Sequence, residues 1–335
     1  MNRKILFIII CILTVMLCGC ASSDAANVNE YENEHNEDYI TVGFSQLGSE
    51  SFWRAANTKS VQESLSEENG FSLEFNNARQ KQENQIKAIR GFISQRVDYI
   101  AFSPVTEEGW DTVLKEAKDA GIPVILVDRK IRTQDSSLYT TWVGSDAVAE
   151  GRRAGEWLER HLSETGRNFQ TINIVTLMGN EGSSVTLGRR NGFQEICKNH
   201  TNWKMLEQQY ADFTTAKAKE VMTEYIEKYD TIDVVVSQND DMTFGAIDAL
   251  KEAGLSCGVN GDVILISFDA VHQALELVSQ GVINVDVECN PEEGPYIEDI
   301  IKRLERGESV EKENIVDEQV FTQKNVDLYI DDRSY

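Results

Sequence analysis

From residue 39 onward, short runs rich in β-branched and aromatic residues alternate with longer stretches whose apolar residues recur at spacings of three and four. This alternation constrains the fold more than any other feature. Strands read as TVGFSQ (41–46), SLEFNN (72–77), YIAFSPV (99–105) and PVILVD (123–128). After a link through TWVGSD (141–146) come INIVTLMG (172–179), KMLEQQYA (204–211), IDVVVSQ (232–238), VILISFD (263–269) and INVDVEC (283–289). Helical spacing fills segments such as 81–95, 108–120, 147–162, 215–228 and 241–253, and Gly121, Gly254 and Gly281 stand where helices should stop. Strand–helix alternation predicts an α/β chain with parallel sheets covered on both faces. The length favours two similar doubly wound lobes over one large sheet.

Several predicted strands end in a polar or charged residue: Ser103, Asp128, Asn239, Asp269 and Glu288. One such residue is ordinarily a helix N-cap. A series of them points to a polar cleft, because open α/β sheets bind ligands beyond the carboxyl ends of their strands. After the first strand, TVGFSQLGSESFWRAAN places Phe52, Trp53 and Arg54 within one turn of a new helix. By itself, Trp53 reads as a core residue between helices.

The amino-terminal MNRKILFIIICILTVMLCGC has a basic start at Arg3 and Lys4 and an apolar run too short to span a bilayer, the signature of an export signal over residues 1–19. Its end, Leu17-Cys18-Gly19-Cys20, resembles a bacterial lipobox and predicts lipid on Cys20, with ordinary secretion as the alternative. Residues 20–38 are polar and acidic, as expected of a solvated tether. The formal charge of −24 deepens to −26 when Arg3 and Lys4 are removed, which argues against nucleic acid and against adsorption to anionic lipid. Cys197, Cys257 and Cys289, an odd number at wide spacings, form no disulfide framework or zinc pattern and read as structural thiols, with one disulfide pair among them as the open alternative; the four histidines lack metal-ligand spacing. No cofactor or metal is expected.

Motifs for nucleophilic hydrolysis, zinc proteolysis and phosphate cradling are absent, and no Gly-rich dinucleotide fingerprint follows the first strand. Paired carboxylates abound in so acidic a chain, so composition alone does not decide against a glycosidase pair. Sugar binding is the better match. A sugar offers hydroxyls at its edges and C–H on its faces, which suit planar Asp, Asn, Arg and Glu groups and aromatic rings respectively.

The motifs VGFSQLGSESFWRAA (42–56), IPVILVDR (122–129), GSSVTLGRRNGF (182–193), ADFTTAKAKEVM (211–222), SQNDDMTFGAIDALKEAGL (237–255) and ISFDA (266–270) resemble type I periplasmic sugar-binding proteins, the ribose and galactose group. The galactofuranose-binding branch is the most similar, on SES-x-WRAA, QKQENQIKAIRGFI and QNDDM. The resemblance implies ligand contacts at Glu50, Phe52, Trp53 and Arg54, at Ser103, and at Asp128 and Arg129. It places the second-lobe arginine at Arg189, four residues before Phe193, and further contacts at Phe213, Asn239, Asp269 and Glu288. The subgroup leads one to expect glycine where Phe52 stands.

The resemblance also implies two lobes, 39–142 with 289–318 and 143–288 with 319–335, joined by a three-strand hinge. It implies a monomer that closes on a monosaccharide outside the cytoplasm and delivers it to an ABC permease; the alternative is a subunit presenting sugar to a sensor kinase or chemoreceptor. Repressors share the fold, but here a signal and tether stand where they carry a helix-turn-helix.

Overall fold

A computed structural model describes residues 39–335; the expected signal, Cys20 and the tether lie outside them. Two six-stranded sheets organise the chain. The first contains β1 (Ile40–Gln46), β2 (Phe71–Asn77), β3 (Tyr99–Phe102), β4 (Val124–Val127), β5 (Thr141–Gly144) and β11 (Glu313–Ile315), in the order β11-β5-β4-β3-β1-β2. The second contains β6 (Ile172–Met178), β7 (Trp203–Tyr210), β8 (Val234–Ser237), β9 (Ile264–Asp269), β10 (Val285–Glu288) and β12 (Val320–Phe321), in the order β12-β10-β9-β8-β6-β7. Strands pair in parallel, apart from the antiparallel edge between β10 and β12.

Nine helices among the described residues cover these sheets. They are α1 (Phe52–Ser64), α2 (Gln82–Gln95), α3 (Asp111–Asp119), α4 (Ala147–Glu164), α5 (Ser184–Cys197), α6 (Thr215–Lys228), α7 (Asp240–Glu252), α8 (His272–Ser279) and α9 (Gly294–Glu305). None is long and apolar enough to cross a membrane.

Strand sequences show why both faces are covered. Along β9, Ile264, Ile266 and Phe268 join one apolar cluster while Leu265 joins the cluster on the opposite face. In β3, Ile100 and Phe102 face α2 and α3, whereas Tyr99 and Ala101 face α1 and α9. The two-residue period of a strand therefore distributes an almost continuous apolar run between two cores.

The chain passes between the lobes three times, at 145–146, 289–293 and 316–319. TWVG is not a link: β5 pairs with β4 on one side and β11 on the other, so Val143 and Gly144 belong to the first sheet. The first crossing consequently starts after Gly144 rather than at 142–143. In each sheet the strand order reverses beside the first strand of the lobe, β1 or β6. Loops leaving neighbouring strands diverge at such a reversal and open a crevice.

Candidate functional site

Loops at the carboxyl ends of both sheets line one small, partly open cavity of about 30 Å³. Its lining comprises Glu50, Ser51, Trp53 and Arg54 after β1, Asp128 and Arg129 after β4, Val185 and Arg189 on α5, Phe213 and Asn239 after β7 and β8, Asp269 at the end of β9 and Cys289 after β10. Nine of the twelve residues expected from sequence thus meet at one place.

On the first-lobe side, Ser51 starts α1 by accepting the Arg54 backbone N–H at 3.1 Å. That turn sets Glu50 and Arg54 on one face, where the guanidinium donates to Glu50 Oε1 at 3.1 Å and to Asp128 Oδ2 at 2.6 Å. It also lies over the Trp53 ring, 4.5 Å from the centroid. Burial works against the Arg54 charge, but Asp128 and Glu50 outweigh it and hold the pKa above the ordinary arginine value. Ser103 stands behind the cavity wall, donating to Asp128 Oδ2 at 3.1 Å.

Arg129 is different. Burial lowers its pKa to about 10, and neighbouring Arg54 adds to the fall. Its guanidinium faces the Phe213 ring of the other lobe at 5.6 Å and donates to Asn180 Oδ1 at 3.1 Å. Gly179 gives Phe213 room, since a Cβ there would stand 1.9 Å from the ring.

On the second-lobe side, Arg189 donates to Glu150 Oε2 at 2.6 Å, to Asp269 Oδ1 at 3.1 Å and to the Gln238 carbonyl. It lies over Phe268 at 4.9 Å. Burial pushes the Asp269 carboxyl up, and Arg189 opposes that push. Asn239 caps α7 by accepting the Met242 N–H at 3.0 Å while lining the cavity, so cap and wall are one residue.

Several of these positions hold backbone that side chains other than glycine rarely adopt: φ is +59° at Asp128, +57° at Phe213 and +110° at Asp269. Such strain gathers where surrounding contacts fix a site in advance. Two buried atoms at the wall, Glu50 Oε2 and Arg129 Nε, have no hydrogen-bond partner in the protein. They suit a polar molecule that brings hydroxyls.

Three expected residues fall elsewhere. Ser103 supports the wall without lining it. Phe52 is 59% exposed; its backbone N–H spans the lobes to Asp241 Oδ2 at 3.0 Å, but its ring lies outside the cavity. Glu288 is claimed by the carboxy-terminal segment, bonding Arg333 at 2.5 Å and the Tyr335 hydroxyl at 2.9 Å. Trp53 lines the cavity but is 4% exposed, and its indole N–H donates to the Cys289 carbonyl at 2.5 Å. Sequence reasoning missed Cys289, although it directly follows a polar strand end, and missed Glu150, which looks like any surface glutamate on a helix.

The periplasmic binding protein domain family matches residues 42–296. The chain is 44% identical over 277 residues to the galactofuranose-binding protein YtfQ of Escherichia coli (strain K12), covering 82% of this chain and 85% of that one. A Mycobacterium smegmatis protein solved with β-D-fucofuranose is 42% identical, with a TM-score of 0.84 over 88% of this chain and 95% of its own. The binding protein of an arabinose ABC transporter from Shewanella sp. ANA-3, bound to α- and β-L-arabinofuranose, is 39% identical, with a TM-score of 0.82 over 88% and 95%.

Proposed function

Because the chain belongs to the periplasmic binding protein domain family, we propose that it captures one monosaccharide in its furanose form, galactofuranose or a related pentose or hexose, and hands it to an ABC importer. The protein is a solute-binding protein and not an enzyme. The observation that carries the sugar reading is a pair of buried arginine–carboxylate clamps, one per lobe, facing a single small cavity. Planar charged groups held in advance bond ring hydroxyls without reorganising, while Trp53 and Phe213 offer apolar surface to C–H faces. The furanose ligands of the similar proteins favour the five-membered ring.

Capture works by closure. Only when the lobes meet do Arg54, Asp128 and Arg129 from one side and Arg189, Asn239 and Asp269 from the other surround the same molecule, so the sugar favours the closed form. Lipid on Cys20 would hold the domain at the outer face of a membrane, beside its permease.

The test is a thermal-shift panel on the processed chain. Galactofuranose, fucofuranose and arabinofuranose should raise Tm progressively with concentration, by roughly 2.7 kcal/mol of stability at a hundredfold excess over Kd. Pyranose-locked sugars should shift it less. Asp269→Ala should remove the shift while leaving a cooperative melt. A panel with no response overturns the sugar reading. Separately, Cys20→Ser should release the protein from the membrane fraction; retention would overturn the anchor.

A further inference from the structure

The three inter-lobe crossings converge at Cys289, which opens the second: its thiol donates to Ser145 Oγ of the first at 3.3 Å, Glu318 belongs to the third, and Glu150 reaches the same point from α4. One donor atom from each of Glu150, Cys289 and Glu318 lies within 4.8 Å of the others. Each carboxylate gives one oxygen to an arginine: Glu150 Oε2 accepts from Arg189 at 2.6 Å, and Glu318 Oε2 from Arg153 at 3.2 Å. The second oxygen of each, Oε1, is buried without a hydrogen-bond partner, although the side chains are only 0% and 1% exposed.

A buried carboxylate oxygen without a partner is costly, and here two carboxylates that each carry such an atom adjoin a thiol, which itself donates to Ser145 Oγ. Two oxygens with one sulfur suit zinc and its borderline-soft neighbours; calcium and magnesium take oxygen ligands alone. Ligating carboxylates are characteristically hydrogen-bonded through their outer atoms, which is what Arg189 and Arg153 provide.

We propose that Glu150, Cys289 and Glu318 form a hinge site for a zinc-class divalent cation. On binding, the Cys289 thiol proton and the carboxyl proton held by the buried Glu150–Glu318 pair are released to solvent and the sulfur–metal and oxygen–metal bonds form, with no change of oxidation state. The ion ties the second and third crossings to α4 in the closed arrangement. Glu150 also holds Arg189, and Arg189 holds Asp269, so the ion strengthens sugar binding and the sugar strengthens ion binding by the same factor. That coupling rests on the sugar reading; the site itself does not.

Cobalt(II) is the probe, titrated into the chelator-treated processed chain without sugar. One equivalent should bind and give a thiolate-to-cobalt charge-transfer band, which zinc(II) then abolishes by displacement. Cys289→Ser should lose the band, and Glu318→Gln should weaken cobalt binding by at least ~10-fold. A Cys197→Ser, Cys257→Ser double variant should retain both band and affinity. The proposal is overturned by absence of the band, by its survival in Cys289→Ser, or by unchanged affinity in Glu318→Gln. Should Cys289→Ser fail to fold, the double variant and Glu318→Gln decide alone.

Discussion

Each lobe presents a buried arginine between two carboxylates and over an aromatic ring, yet the two clamps are wired differently. Arg54 is held by Glu50, four residues earlier in the same helical start, and by Asp128 of the same lobe. Both of those carboxylates line the cavity. Arg189 joins α5 to α4 through Glu150 and to the β9 turn through Asp269. Only Asp269 lines the cavity, while Glu150 faces the hinge. The first clamp is a local fixture of one lobe, and the second connects the sugar-facing wall to the segments about which the lobes turn.

The largest effects should come from removing either arginine. Arg54→Ala strips Glu50 of its cation and leaves Asp128 only Arg129 at 3.9 Å, and Arg189→Ala strips Glu150 and Asp269, each at a cost of about 3–5 kcal/mol in urea unfolding of the sugar-free chain. The two should separate in hydrogen exchange. Arg54→Ala should loosen the start of α1, and Arg189→Ala should deprotect α4, α5 and the β9 turn together. Equal, local effects from both would break the contrast.

A smaller effect comes from pH. In the closed form Asp241 lies between the lobes, facing Glu50 and Asp269. Burial raises its carboxyl from 3.8 to about 6; the Phe52 N–H opposes the rise and Glu50 adds to it. Opening re-exposes Asp241 and returns it toward its ordinary value. A pKa raised in the closed form means that closing takes up a proton. The support for closure is complete below about pH 4 and is lost as pH rises through about 6. Sugar affinity should therefore fall across that window, by up to about a hundredfold if opening fully restores the ordinary value. Asp241→Asn should flatten the slope; an unchanged slope would assign it to another group.

The smallest effect is expected at Phe52. With its ring outside the cavity, Phe52→Ala should leave sugar affinity within about threefold in a calorimetric titration. A larger loss would return the ring to the binding surface.

What could be read from the sequence depended on how far each residue's decisive partner lies along the chain. Asp128, Asn239 and Asp269 were legible because a polar residue ending a parallel strand is carried to the crevice by the sheet itself. Glu288 satisfies the same rule, yet its neighbours are the hinge and Arg333, from a segment with no local link to β10. TWVG gave too short an apolar run to separate from a connection; pairing with β4 and β11 makes it a strand. Glu150 and Glu318 carry no spacing that marks them, since only three chain crossings bring them to Cys289.

The two edge strands β11 and β12 also govern the order in which the molecule can be assembled. The first sheet lacks its last strand until residues 313–315 exist, and the second until 320–321. Neither sheet can be completed by one contiguous stretch of chain. Each lobe therefore depends on a strand supplied from beyond the other lobe, and separating the two lobes as contiguous fragments would leave both sheets with an open edge.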